Sequence, residues 1–211
     1  MRHGTWKNTS QNIQGMIMGP SRLIIYILSI FFISKTCADQ LDRSQIEMEM
    51  KATAEEFIQS LGATLKSSLS AGGPEAAISI CETVAPSLAN SLSKTTGWKI
   101  SRVSRKPRNP LLGIPDSWEV KQLDSFSKSI NTDINTDKLE VFVAERKNNQ
   151  LIIRYMKALP VRPVCLTCHG SEAEIPDVVS KALQKRYPND RAIGYKIGNI
   201  RGAVSIRAVI D

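Results

Sequence analysis

The sequence has little histidine and little cysteine: two His and four Cys in 211 residues. Four Cys are too few for a disulfide-dense scaffold. Two His are too few for a multi-histidine metal site or a cytochrome with several haems. Acids are in deficit, 20 Asp+Glu against 28 Lys+Arg, for a formal net charge of +8. There is no internal repeat and no low-complexity tract. Apolar residues make up 42% and charged residues 23%, close to the globular norm, which excludes disorder, collagen and coiled coil as whole-chain descriptions. The length fits one domain or at most two small ones. It excludes a TIM barrel, whose floor is about 200 residues, because part of the chain is expected to be removed.

The removable part is the N-terminus. Residues 1–22 hold Arg2, Lys7 and Arg22 and no acid, and an apolar run of 11 residues follows at 23–33 (LIIYILSIFFI). That run is short of the roughly 18 residues that suggest a membrane span. Thr36-Cys37-Ala38 comes next. The layout is that of a secretory signal peptide over 1–38, with cleavage near Ala38 and one domain over 39–211. The alternative keeps 23–33 as an anchor, the one case in which a membrane is a partner. A lipoprotein needs small residues ahead of Cys37, which Lys35 and Thr36 do not supply. Removing 38 residues that carry four basic groups and no acid leaves 173 residues at net +4. No basic, aromatic-interleaved stripe remains, so no nucleic-acid partner is expected. The expected location is periplasmic or secreted. The expected mature chain keeps one His, His169, and three Cys: Cys81, Cys165 and Cys168.

Ile46, Met50, Ala54, Phe57, Leu61, Leu65 and Leu69 recur at three- and four-residue steps and predict a helix over 42–71. Ala71-Gly72-Gly73-Pro74 breaks it, and a second helix follows over 74–93, with a kink expected at Pro86. A strand is expected at 98–104, then a proline-rich loop, then a helix capped by Asp116 or Ser117 and running to about Ser129. Runs at 140–146 and 150–159 flank Lys147-Asn148-Asn149 and read as a hairpin. A helix at 174–187, with Val178, Val179, Leu183 and Tyr187 inward, and a strand at 202–210 complete the chain. This order predicts an α+β fold: a small, PAS-like antiparallel sheet with long N-terminal helices packed on it.

Cys165-Leu166-Thr167-Cys168-His169 is the C-x-x-C-H pattern of c-type haem attachment. Two thiols three residues apart suit the two vinyl groups on one side of a porphyrin. The next residue then offers an imidazole as proximal iron ligand. A redox-active disulfide lacks its usual βαβ context. A structural zinc site would have to draw its fourth ligand from Cys81, far upstream. One covalent haem c is therefore the expected cofactor. The other face of the iron has several candidates: Cys81, Met48, Met50, Met156, a lysine, a tyrosine, water or nothing. Cys81 lies on the apolar face of its helix, where a free Cys is often simply core. Arg105 and Arg108, in a basic loop with Arg102 and Lys106, suit haem propionates; a solvated loop is the plain alternative. Trp98 and Trp118 either wall the haem or belong to the core.

These residues give the chain a family resemblance. It resembles the PAS-like single-haem c-type cytochromes, long labelled a domain of unknown function and found as free periplasmic proteins and as haem-sensor modules. The matching stretches are Ala76-Ala77-Ile78-Ser79-Ile80-Cys81 with Ala85-Pro86, and Arg108-Asn109-Pro110 with Pro115-Asp116-Ser117-Trp118-Glu119. Cys165-Leu166-Thr167-Cys168-His169-Gly170 and the segment from Gly194 to Ile206 complete the match. The resemblance implies a PAS-like fold, one covalent haem, and axial ligation by His169 and Cys81. Two roles stay open: an electron carrier serving a redox partner protein, and a haem-based redox or gas sensor signalling through a separate protein. The sequence stops at Asp211, just after the last expected strand, so any sensing output is expected to pass through a partner. No second histidine or distal acid–base pair suggests substrate turnover.

Overall fold

The structure, a computed structural model, describes residues 20–130 and 135–210, and for residues 20–42 the backbone alone. The expected leader over 1–38 lies outside the described side chains. The chain forms two units, Met1–Asp42 and Arg43–Asp211. Among the described residues no helix is long and apolar enough to cross a membrane.

Helix α1 spans Pro20–Thr96 and is interrupted at Gly73, whose φ of 68° and ψ of −165° lie outside the helical region. Glycine enters the left-handed half of φ/ψ space without a Cβ clash, so the Gly-Pro sequence breaks the helix there. Phe57 and Leu88 both pack in one core cluster. A straight helix would hold them about 46 Å apart. The helix therefore folds back at Gly73 into two arms. The kink expected at Pro86 is not the break: Gly73 alone has non-helical angles, and the second arm runs through Pro86.

The sheet follows from strands β1 (Lys99–Val103), β2 (Glu140–Lys147), β3 (Gln150–Pro160) and β4 (Ile200–Ile210). Their order is β1-β4-β3-β2, antiparallel throughout. Between β2 and β3, Asn148 and Asn149 take φ of 51° and 66°. That is the mirror-image two-residue turn that matches strand twist, and asparagine tolerates it better than most residues.

Both sheet faces are covered. On one, Met50, Ala54 and Phe57 of the first arm and Leu92 of the second meet Ile153, Tyr155, Val204 and Ile206. On the other, Leu123 and Phe126 of α3 (Ser117–Ser129) meet Met156, Ala158 and Ala203. Residues 203–206 are buried on both sides, because alternate residues face opposite layers. Asp116 caps α3: its carboxylate accepts from the Trp118 and Glu119 N–H groups at 3.0 and 2.9 Å, and Glu119 accepts from the Asp116 N–H at 2.7 Å. A four-residue turn, α2 (Pro110–Gly113), precedes it, and α4 (Leu166–His169) and α5 (Asp177–Arg186) follow β3. Val178 points outward, contrary to expectation, at 55% exposure. The stripe Ile175, Val179, Leu183 and Tyr187 recurs at four-residue steps and fills the buried face by itself.

Candidate functional site

A cavity of about 250 Å³ opens where the second arm of α1, the starts of β4 and of the 104–113 loop, and β1 converge. Cys81 comes to it from α1, Arg102 from β1, Arg108 from the loop, and Arg201 from β4. His169 comes from α4, and Tyr187 from the end of α5. Two residues 88 positions apart, Cys81 and His169, thus line one cavity.

The cysteine motif folds as one continuous turn. Pro163–Cys165 is a 3₁₀ turn that runs into α4, and the Gly170 N–H closes it on the Leu166 carbonyl at 2.8 Å. A Cβ at Gly170 would meet that carbonyl, so the tight closure favours glycine. Cys165 and Cys168 both lie on this turn, Cys165 against Val161, Ala192 and Tyr195 and Cys168 against Ile78 and the inner face of α5, and neither lines the cavity itself. Cys81, Cys165 and Cys168 are free thiols. Among the described residues no cluster of three or more His, Cys, Asp or Glu is arranged to hold a metal ion. Burial pushes the Cys168 thiol up, against the pull of Arg108.

His169 is held by a relay of hydrogen bonds. Its Nδ1 lies 2.6 Å from the Ala192 carbonyl oxygen. A carbonyl can only accept, so Nδ1 carries the proton and Nε2 keeps the lone pair. The Ala192 N–H in turn donates to Asp190 Oδ1 at 2.7 Å, and Asp190 Oδ2 takes the Arg108 Nε–H at 2.9 Å. Arg108 also donates to the Cys168 carbonyl and lies 3.2 Å from Nδ1. Asp190 therefore ties the 107–108 loop, the 190–192 loop and the cysteine turn together. Arg201 Nε sits 3.3 and 3.4 Å from the two imidazole nitrogens, a near-equality that puts it against the ring rather than on either lone pair. The Tyr195 ring meets His169 edge-on at 6.2 Å. Burial first, then Arg201 and Arg108, hold the His169 imidazole well below its ordinary range, so it is neutral at pH 7.

Cations outnumber acids here. Asp190 answers Arg108, and Glu82 is taken by Arg186 at 2.5 Å. Among the described residues Arg102 and Arg201 have no carboxylate partner. Burial lowers both guanidiniums, though not enough to discharge them at neutral pH.

The structure sorts the residues singled out in the sequence. Cys81, Arg102, Arg108 and His169 meet at the cavity, and Cys165 and Cys168 lie on the turn that carries His169. Arg105 stands apart, paired on the surface with Asp124 at 3.2 Å. Met50 and Met156 fill the cores on the two sheet faces, and Met48 is exposed. Trp98 packs on one core, and Trp118 on the other beneath Arg154, whose guanidinium lies 4.3 Å from its ring. Asp190 and Ala192 had no signal of their own in the sequence, and Arg201 stood only within the matched segment from Gly194 to Ile206; the fold alone brings all three to His169.

Residues 34–208 match the Tll0287-like family. The chain belongs to that family. This Tll0287-like chain is also similar in fold to a solved structure, the crystal structure of the cyanobacterial heme-protein Tll0287. The two share 24% identity at a TM-score of 0.55, over 77% of this chain and 94% of the other. No curated protein matches the chain.

Proposed function

We propose that the protein is a periplasmic c-type haem protein with one covalent haem, working as an electron carrier. The observation that carries this reading is the shared cavity: His169, with its Nδ1 proton committed to Ala192, lines the same cavity as Cys81. The fit extends to charge. Arg102 and Arg201 bring two positive groups without carboxylate partners to a site where a haem brings two propionates. The name of Tll0287, a heme-protein, supports the same cofactor.

A bound haem supplies one-electron chemistry at its iron. Cys165 and Cys168 would hold it by adding each S–H across a vinyl group, leaving thioether bonds. His169 would offer its imidazole to the iron, oriented by Ala192, a partner of the kind that fixes ring tautomer and raises ligand basicity. Cys81 would hold the iron from the other side, and a thiolate there would donate electron density to ferric iron and lower the potential relative to His/Met ligation. Held by both residues, the iron would have no open position for a substrate, so the chain's part would be to bind and orient the cofactor. Arg102, Arg108 and Arg201 offset propionate charge.

A sensing role is the second reading. It rests on Cys81 lying eight residues beyond the break at Gly73, on an arm whose displacement would report loss of the Cys81 bond.

The test is expression in a bacterial periplasm with haem-maturation proteins. Haem should stay on the chain through denaturing electrophoresis. Ferric protein should give a low-spin EPR signal with the narrow g-spread of thiolate ligation, lost in Cys81→Ala. Carbon monoxide and nitric oxide should leave the reduced carrier unchanged; binding of either would favour sensing. Absence of covalent haem would sink the proposal.

A further inference from the structure

We propose that Asp190 and Arg108 are positioning residues for His169: together they clamp the Ala192 carbonyl and the cysteine turn, so that the imidazole keeps its proton on Nδ1 and holds one orientation. The inference rests on the haem reading for its purpose, though its geometry is independent of it.

Asp190 works through both carboxylate oxygens. Oδ1 accepts from the Ala192 N–H at 2.7 Å, two residues on, the local turn that short acidic side chains favour. That turn aims the Ala192 carbonyl at His169 Nδ1, 2.6 Å away. Ala192 is fully buried, so water does not compete for its carbonyl. Oδ2 takes the Arg108 Nε–H at 2.9 Å. Arg108 Nη2 then donates to the carbonyl of Cys168, the residue just before His169. One carboxylate thus controls the ring from two sides, through its acceptor and through the backbone that carries it.

Backbone bonds pin the two ends of this segment. The Arg191 N–H donates to the Pro107 carbonyl at 3.1 Å, the Gly194 N–H to the Gly170 carbonyl at 2.7 Å, and the Tyr195 N–H to the His169 carbonyl at 2.9 Å. Ala192 lies between those anchors, and the bond to its own N–H comes from Asp190. Arg108 is not a partner of the ring itself. Its Nη2 lies 3.2 Å from Nδ1, but both can only donate when Nδ1 carries the proton. It stands there because Asp190 and the Cys168 carbonyl hold it. The ion pair is nearly buried. Such a pair adds little stability over apolar residues of the same volume, so its place beside the cysteine turn points to positioning.

The test removes the clamp without stranding a charge. Asp190→Ala with Arg108→Met leaves the net charge unchanged and no unpaired ion, so the fold should survive. Asp190→Asn, the milder change, keeps an oxygen for the Ala192 N–H and gives up the ion pair. Each is made with His3→Gln, so that His169 is the one imidazole in the chain. In the haem-free chain, nitrogen NMR of labelled histidine should show a single tautomer, protonated at Nδ1, in the parent and in Asp190→Asn. The double variant should show both tautomers. In the holoprotein, an imidazole that loses its acceptor is a less basic ligand and favours ferric iron less. The double variant should therefore raise the reduction potential, by about tenfold in the ferric-to-ferrous preference, or about 59 mV for one electron. A merely structural pair would shift the unfolding midpoint and leave tautomer and potential in place. A parent-like tautomer or a parent-like potential in the double variant would overturn the proposal. So would mixed tautomers in the parent, or mixing in Asp190→Asn as full as in the double variant. A parent without covalent haem would refute the haem reading, while the tautomer populations would still decide the clamp.

Discussion

The two sides of the sheet handle charge in opposite ways. Near the β2 edge, Glu140 accepts from Lys51 at 2.7 Å, Lys157 at 2.6 Å and Tyr155 at 3.0 Å. Partial burial there opposes ionisation, but the three hydrogen bonds outweigh it and take the carboxyl down to about 2. Near β1, Arg102, Arg108 and Arg201 gather, and among the described residues Asp190 is the single carboxylate bonded to any of them. The first cluster is complete within the protein, and its role is to fasten α1 to the sheet. The second has surplus charge of one sign beside a cavity, and such surplus is the mark of a site made for an anionic group. A charge cluster is therefore informative mainly through its balance.

The largest effect that tests this contrast is expected at Asp190. Asp190→Ala strands the Arg108 guanidinium, 9% exposed, and removes the acceptor of the Ala192 N–H. The expected loss is about 3–5 kcal/mol in urea unfolding, since breaking a buried pair leaves a charge unpaired. Asp190→Asn should recover part of it by keeping the Ala192 bond. Equal losses in the two variants would break the relay described above.

Glu140→Gln is the next largest, about 1–2 kcal/mol at pH 7, reduced from a buried value because the group is partly exposed. Its pH dependence has a definite sign. The folded pKa of about 2 lies below the ordinary 4.5, so the stabilisation is present above 4.5 and is lost as pH falls from 4.5 toward 2. Thermal unfolding across that window should be steeper for the parent than for the variant. Parallel curves would show that the cluster is not a source of acid sensitivity.

Arg102→Met should have the opposite sign on the haem-free chain. It relieves like-charge repulsion of about 1 kcal/mol, so stability should hold or rise, while retention of bound haem falls. A clear destabilisation would mean that Arg102 has a structural acceptor and would erase the contrast. The smallest effect is expected at Lys51→Met, about 0.2–1 kcal/mol, because that pair lies at the surface with Lys51 46% exposed.

Much of the fold was legible because its signals are local. The three- and four-residue apolar steps from Ile46 to Leu69, the Gly-Gly-Pro break and the Asp116–Glu119 cap depend on near neighbours, and each appears where periodicity or capping places it. The cysteine motif is local too. The α2 turn and the 3₁₀ turn at Pro163–Cys165 were missed, being too short to show a period. Arg105 and Arg108 looked equivalent in sequence, yet one pairs with Asp124 at the surface and the other with Asp190 against the cysteine turn. Only the long-range pairing of strands makes that distinction. It also brings Arg201 to His169 and Asp190 to Arg108, contacts with no local signature.

The strand order has a temporal consequence. Lys99 pairs with Arg207, so the first strand waits for the last, and no sheet hydrogen bond holds β1 until nearly the whole chain is available. Pairings this distant in sequence close late, because the loop entropy must be met before any contact rewards it. During synthesis the cysteine turn emerges before β4, while Cys81 and Arg102 still lack the strand that completes their wall. On the haem reading proposed above, the two thiols would then be accessible to attachment machinery in an open chain. On that reading, docking of β4 would close the pocket around the attached group, and cofactor loading would be a step in folding rather than a sequel to it.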